Sequence, residues 1–309
     1  MLKEHGLHAD DVAGTGFNGR ITRTDVEGAV ATRATSDAAV EPSPEEMENA
    51  PVGWTDSPVE PGVPPEPAAA PEPDERFVPF TPIRRRIATH LKESLATAAH
   101  AFCSVEADFE RVERVRRTHS ASWRAQYGFS LTYLPFVVRA TLDALREYPH
   151  LNASVVDDGI VVRRAIHLGI AVDLDHEGLI VPVIRDAHDK RLPAVAAEIS
   201  DLATRARAAR LTPDEVSGGT FTITNPGPHG TLLSIPIINQ PQVGILSTDG
   251  VRRRPVMIPT GDGGEGIAVH SVGTLGLSFD HRAVDGAYAA AFVARVKELL
   301  ETRDWEPEL

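Results

Sequence analysis

Residues 278–286 read Ser-Phe-Asp-His-Arg-Ala-Val-Asp-Gly. The imidazole of His281 has a carboxylate directly before it, Asp280, and another four residues after it, Asp285. Histidine titrates near neutrality, and a neighbouring carboxylate can fix its tautomer and orientation, so the group suits a general base. Duller chemistry fits the same letters. An i,i+4 pair at a helix start is worth a few tenths of a kcal/mol and nothing more. Two metal ligands are a third reading, which is disfavoured because no second histidine stands at ligand spacing and the lone cysteine, Cys103, is far away in sequence. The spacing alone leaves catalysis and structure evenly open. A second candidate is Thr224, at the end of Gly218-Gly219-Thr220-Phe221-Thr222-Ile223-Thr224-Asn225-Pro226-Gly227. On local evidence its hydroxyl faces solvent or caps a turn.

The elements around these residues follow from periodicity. Val269, Val272, Leu275, Leu277 and Phe279 form a strand pattern leading into the histidine. Phe292, Val293, Val296, Leu299 and Leu300 form a helical one leading away. His281 therefore falls on a strand-to-helix turn, where a side chain is held rigidly and still meets a ligand. Gly286 is expected to let the backbone bend there. Threonines alternating with Phe221 and Ile223 predict a strand that Asn225-Pro226-Gly227 ends. Upstream, Thr81-Pro82 opens a helix with a buried stripe of Ile83, Ile87, Leu91 and Leu95. Arg84, Arg85 and Arg86 crowd its first turn, where the macrodipole disfavours them, so a carboxylate partner is expected.

A strand is predicted over 102–108, with Cys103 as a buried thiol. Helices are predicted over 109–126, 132–148 and 193–209, and a hairpin turns at Asp157-Asp158-Gly159. Two further strands fall at 166–174 and 179–184. Lys190 is expected to be an exposed charge.

The chain has 309 residues, 42% of them hydrophobic, and a net charge of -13. That sign argues against nucleic acid as a partner. Much of it is local: residues 31–75 hold eleven acidic residues and one basic one, and ten of the 24 prolines lie between Glu41 and Pro73. This segment cannot bury enough apolar surface to order itself and reads as a flexible linker. One cysteine excludes an internal disulfide framework and fits a reducing compartment. No apolar run reaches membrane-spanning length and the first residues do not open a signal peptide, so the expected location is the cytoplasm, with no membrane partner.

Before the linker, residues 1–30 read as a helical mini-domain. Its loop, Gly14-Thr15-Gly16-Phe17-Asn18-Gly19, spells G-x-G-x-x-G. A dinucleotide site is refused, since no strand precedes the glycines and no βαβ unit fits before the linker. The glycines serve a tight loop, Thr22 caps the following helix and Asp25 sits in its first turn. So small a unit is expected to dock a partner.

The string 278–286 resembles the active-site signature of the dihydrolipoamide acyltransferases, the core components of 2-oxo acid dehydrogenase complexes. The string 218–227 resembles that family's second active-site motif. Residues 236–242 match a further segment, and residues 1–30 resemble its peripheral subunit-binding domain. The resemblance implies a subunit-binding domain at 1–30, a linker at 31–75 and an acyltransferase domain at 76–309. The last would be an α/β fold like chloramphenicol acetyltransferase, a mixed sheet flanked by helices, assembled as a homotrimer or larger core.

It further implies acyl transfer between dihydrolipoamide and coenzyme A. His281 would be the general base and Thr224 the oxyanion donor from a neighbouring chain, with Asp285 holding the loop, Asp280 and Gly286 in support, and no metal. Related enzymes tie the motif's aspartate to an arginine, so one of Arg84, Arg85 and Arg86 is expected to pair with Asp285. Arg20 and Arg23 would grip the decarboxylase or dihydrolipoamide dehydrogenase component. No lipoyl domain precedes the docking segment, whose first helix starts at Met1. N-terminal truncation is expected, or a lipoyl group supplied in trans. Acetyl, succinyl and branched-chain enzymes share these motifs; acetyl is favoured. The competing readings are a non-catalytic scaffold and an acyltransferase with a small hydroxyl acceptor.

Overall fold

The computed structural model divides into two runs of chain, Met1–Glu75 and Arg76–Leu309. The structure describes Thr22, Asp25, Val26, Asp74 and residues 76–309 except His176 and Asp262. Arg20, Arg23 and nearly all of the linker lie outside the described residues. In the first run the capping contact is the reverse of the one expected. The Asp25 carboxylate reaches back to accept from the Thr22 amide at 2.8 Å and its hydroxyl at 2.9 Å, the returning half of a capping box.

The second run opens with helix α1 (Pro82–Thr97), capped by the Thr81 hydroxyl with Pro82 at its first position. Strand β1 (His100–Asp108) follows, then helices α2 (Glu110–Tyr127) and α3 (Leu134–Glu147) and the hairpin β2 (Ala153–Val156) and β3 (Gly159–Val162). Asp157 takes the positive φ of that turn. Four short strands come next: β4 (Leu168–Ile170), β5 (Val172–Asp173), β6 (Leu179–Ile180) and β7 (Val183–Ile184). Helix α4 (Leu192–Arg207), strands β8 (Phe221–Thr224), β9 (Gly244–Thr248), β10 (Arg252–Pro259) and β11 (Glu265–Asp280), and helix α5 (Gly286–Thr302) complete the chain.

Seven strands form one mixed sheet in the order β1-β11-β9-β8-β4-β7, with β10 paired to the first half of β11. β8 runs parallel to β4 and to β9, and β11 is antiparallel to β1, β9 and β10. Helices α3 and α5 pack together, and α5 also crosses β1. Phe136, Phe221, Phe279, Phe292 and Trp305 are fully buried between the layers. Trp305 meets the Phe136 ring edge-on at 5.3 Å, so the C-terminal segment is part of this core. The expected α/β class, a mixed sheet flanked by helices, is what the chain adopts.

Four expectations change. The strands predicted at 166–174 and 179–184 each break in two: β4 and β7 stay in the main sheet, while β5 and β6 form a separate ribbon. Pro182 has no N–H to continue a ladder, and this is where the second run divides. On α1, Ile83 and Leu95 are more than half exposed. The face turned inward runs through Ile87, His90, Leu91, Ser94 and Ala98, anchored by His90 to Asn239 at 2.9 Å and by the Ser94 hydroxyl to the Ile238 carbonyl at 2.6 Å. Cys103 is half-buried against the core rather than enclosed. Lys190 is paired with Glu198 at 2.5 Å.

Candidate active site

β11 delivers Asp280 to the sheet end. The Asp280 amide donates to the Val243 carbonyl at 2.9 Å, and in register it lies opposite His100 on β1. The next amide, that of His281, donates to the Ala99 carbonyl at 2.8 Å, so the histidine backbone is pinned to the segment joining α1 to β1. Ala283 and Val284 then fold their amides back onto the Asp280 carbonyl at 2.9 and 3.3 Å, and the Val284 side chain is buried. These bonds make the turn rigid.

Asp280 is the hub of the turn. Its carboxylate is 1% exposed and accepts from the Ala99 amide at 3.2 Å, the Arg282 amide at 3.0 Å, and the Arg282 guanidinium at 3.0, 3.1 and 2.6 Å. Burial pushes this carboxyl up; the side-chain and backbone hydrogen bonds from Arg282, its charge and the Ala99 amide outweigh that and hold it below the usual range. The same pair raises the Arg282 guanidinium. Asp280 therefore orients the loop backbone and does not touch the imidazole. Arg282 was not among the expected site residues. Its signal was available: a cation two residues beyond a strand-end carboxylate can fold back across a turn.

The His281 ring is exposed, beside the Phe279 ring at 5.7 Å, and its nitrogens make no hydrogen bond among the described residues. Asp285 occupies the N-cap position of α5 with extended backbone (φ -84°, ψ 162°), and its exposed side chain makes no capping hydrogen bond. It does not orient the ring within one chain. Nor does it pair with Arg84, Arg85 or Arg86. Their turn begins α1, whereas the C-terminal end of α1 abuts the histidine turn, about 20 Å away at 1.5 Å per residue. Arg84 instead reaches the Glu177 carbonyl at 3.3 Å and Arg85 the Phe80 carbonyl at 3.3 Å. Gly286 is not forced by its surroundings: its φ is not positive and an added Cβ meets nothing within 4 Å.

Thr224 ends β8 half-buried, and its hydroxyl makes no hydrogen bond among the described residues. Its neighbour Thr222 is buried, donating to Gln242 at 2.6 Å. Beyond Thr224, a cavity of about 350 Å3 is lined by Asn225, Gly227, Thr248, Asp249, Tyr133 and Arg116, among others. The Tyr133 hydroxyl donates to Glu113 at 2.7 Å, and burial followed by that carboxylate pushes the phenol up.

Sheet register places the two candidates apart. Thr224 aligns with Ser247 on β9, and Ser247 with Gly276 on β11. His281 lies five residues beyond Gly276. At about 3.3 Å per residue along the strand and about 4.8 Å for each of two strand spacings, the separation is about 20 Å. One chain holds both groups at opposite ends of the sheet and does not bring them together.

Sequence comparison identifies the 2-oxoacid dehydrogenases acyltransferase (catalytic domain) over residues 72–307 and the E3 binding domain over residues 1–27. The chain is 36% identical to the lipoamide acyltransferase component of the branched-chain alpha-keto acid dehydrogenase complex of Bacillus subtilis, a match covering 98% of this chain and 70% of that protein. Identity is 37% to the dihydrolipoyllysine-residue acetyltransferase component of the pyruvate dehydrogenase complex of Corynebacterium glutamicum, over all of this chain but 44% of that protein. Among solved structures, dihydrolipoamide acetyltransferase of Azotobacter vinelandii, studied for a serine, a histidine and an asparagine in its catalytic mechanism, superposes with a TM-score of 0.70 at 34% identity. That match covers 77% of this chain and 97% of the other. A probable dihydrolipoamide acetyltransferase of Listeria monocytogenes gives a TM-score of 0.69 at 36% identity, over 74% of this chain and 94% of that one.

Proposed function

We propose, from the premise that this chain belongs to the 2-oxoacid dehydrogenase acyltransferase family, that His281 and Thr224 of adjacent protomers perform acyl transfer between dihydrolipoamide and coenzyme A. One nitrogen of the neutral imidazole takes the proton of the coenzyme A thiol, since the thiolate is the competent nucleophile and a free thiol is only slightly ionised at neutral pH. The sulfur attacks the carbonyl of acyl-dihydrolipoamide. The carbonyl oxygen becomes an oxyanion that accepts a hydrogen bond from the Thr224 hydroxyl of the neighbour. Collapse of the tetrahedral intermediate expels the dihydrolipoamide sulfur, and the imidazolium returns the proton to it. Asp280 and Arg282 keep the histidine backbone fixed during these steps, and Asp285 and Gly286 start the helix behind it.

The observation that carries this reading is the placement of two groups without hydrogen-bond partners among the described residues, one imidazole and one hydroxyl, at opposite ends of the same sheet. A cyclic assembly brings opposite ends of adjacent chains together. Apolar side chains exposed on one chain, Phe77, Phe80 and Ile83 before and within α1 and Leu232 and Ile235 after β8, support burial against other copies. The A. vinelandii relative supports the residue roles. Its histidine and asparagine are four residues apart, as are His281 and Asp285 here.

In this reading residues 1–30 are the subunit-binding domain, with Arg20 and Arg23 on the dehydrogenase or decarboxylase component. Residues 31–75 are the linker and 76–309 the catalytic domain. The lipoyl group comes from another chain or from preceding sequence. The activities of the relatives span acetyl, succinyl and branched-chain transfer, and acetyl is the first to test. His281→Ala, assayed for transfer from acetyl-coenzyme A to free dihydrolipoamide, is expected to lose nearly all turnover; an unchanged rate removes the catalytic assignment. Parallel assays with succinyl and branched-chain thioesters decide the acyl group.

A further inference from the structure

Thr224 is followed by residues 225–241, a stretch with no strand and only a single 3-10 turn at Gly227–His229. Ile238 near its end is buried against Ala98 and Ile245, but ahead of it Leu232, Leu233 and Ile235 are exposed and do not hold the stretch down. Polar contacts to the junction between β9 and β10 hold it instead, and they converge on Asp249. This carboxylate is 2% exposed and accepts from the Thr231 hydroxyl at 2.6 Å, the Ser234 hydroxyl at 2.7 Å and the Ser234 amide at 3.2 Å, with the Ser247 hydroxyl at 3.4 Å. All of these donors are neutral. The Gly250 amide donates to the Thr231 carbonyl at 2.9 Å, and Arg252 bonds the Gly230 carbonyl. Gly227 lies so close to the Asp249 carbonyl that an added Cβ would stand 2.9 Å from that oxygen. The Asp249 carboxylate thus fixes the loop at Thr231 and Ser234, and the Asp249 backbone passes close against Gly227, three residues after Thr224. Its strand neighbour Ser247 is the register partner of Thr224 itself.

We infer that Asp249 is the positioning residue for the oxyanion donor: its buried carboxylate clamps the loop leaving β8 and so fixes where the Thr224 hydroxyl points. The inference rests on the role proposed for Thr224. A carboxylate is the fitting group because it offers acceptor sites only, and here it faces hydroxyl and amide donors converging from one loop. The isosteric amide of Asn would set a donor either against the Ser234 amide, which has no acceptor capacity, or against the Thr231 and Ser234 hydroxyls, which would both have to rotate from donating to accepting, and the loop would shift. Misplacement of a reacting group by about 1 Å costs up to about 100-fold in rate.

The test compares Asp249→Asn, Thr224→Ala and the double variant in the full-length oligomer, with acetyl-coenzyme A and free dihydrolipoamide. Asp249→Asn is expected to lower kcat by about 10- to 100-fold with little change in the KM for coenzyme A. The double variant should be no slower than Thr224→Ala, because the carboxylate acts through that hydroxyl. If Asp249→Asn turns over at the native rate, or costs as much without Thr224 as with it, the positioning role is overturned while the oxyanion reading stands. If Thr224→Ala turns over at the native rate, the oxyanion reading fails and takes the inference with it. Should Asp249→Asn not fold, Ser234→Ala removes one clamp donor: a smaller loss in kcat, absent in the Thr224→Ala background, supports the inference, and a native rate overturns it.

Discussion

Mixing two inactive variants should restore activity. In the proposed mechanism His281→Ala removes the base and leaves the hydroxyl, and Thr224→Ala does the reverse. The sheet register separates the two groups by about 20 Å within one chain, several times the reach of a single thioester reaction centre, so under the proposed mechanism each productive site needs two chains. In a cyclic trimer every site takes its histidine from one protomer and its threonine from the next. When the two variants are unfolded together in equal amounts and refolded, the chance that a given interface joins an intact histidine to an intact threonine is one half times one half. About a quarter of the native sites should therefore be whole. The assay is acyl transfer to free dihydrolipoamide, on oligomers separated from monomer, with each variant refolded alone as the baseline. Loss of one oxyanion donor raises the barrier by about 3 to 4 kcal/mol, so residual activity of Thr224→Ala stays at or below about 1%. A mixture no more active than the mean of its parents, with mixed oligomers present by mass, refutes the shared site.

Asp280→Ala should destabilise the oligomer by about 2 to 3 kcal/mol in urea at fixed protein concentration. Several bonds to a charged acceptor are lost, but the Arg282 side chain is 40% exposed and regains solvent. The Asp280 carboxyl is held below its ordinary value, so its contribution is present above the unfolded carboxylate pKa of about 3.9 and is lost as pH falls through the folded value. The gap between native and variant protein should narrow only in acid; a gap that is constant to pH 2 would falsify that account. Trp305→Ala should cost about 3 to 5 kcal/mol, because the indole is buried against Phe136; a thermal midpoint within a degree of native sinks it. Burial pushes the Cys103 thiol up, so alkylation at pH 8 should be slower than for a free thiol, and Cys103→Ala should keep full turnover. Fast labelling with loss of activity would overturn that reading.

The local chemistry of this protein was written in its sequence. Alternating apolar residues set β11 and the four-residue spacing set α5, so the turn carrying His281 followed from periodicity alone, as did the strand that ends at Thr224. The motif strings likewise carried the family. What short-range pattern does not encode is which groups meet across the fold. Asp280 binds Arg282 and Ala99 rather than the imidazole, and the arginines of α1 stand at the far end of a 16-residue helix from Asp285. The inward face of α1 is anchored by His90 and Ser94 while Ile83 and Leu95 remain outside, because a helix buries whichever face its neighbours can cover. Only the pairing of β8, β9 and β11 decides how far apart Thr224 and His281 lie. Strand register is a property of backbone hydrogen bonds between segments distant in sequence, and a linear pattern carries the faces of each strand but not the partners along its edges.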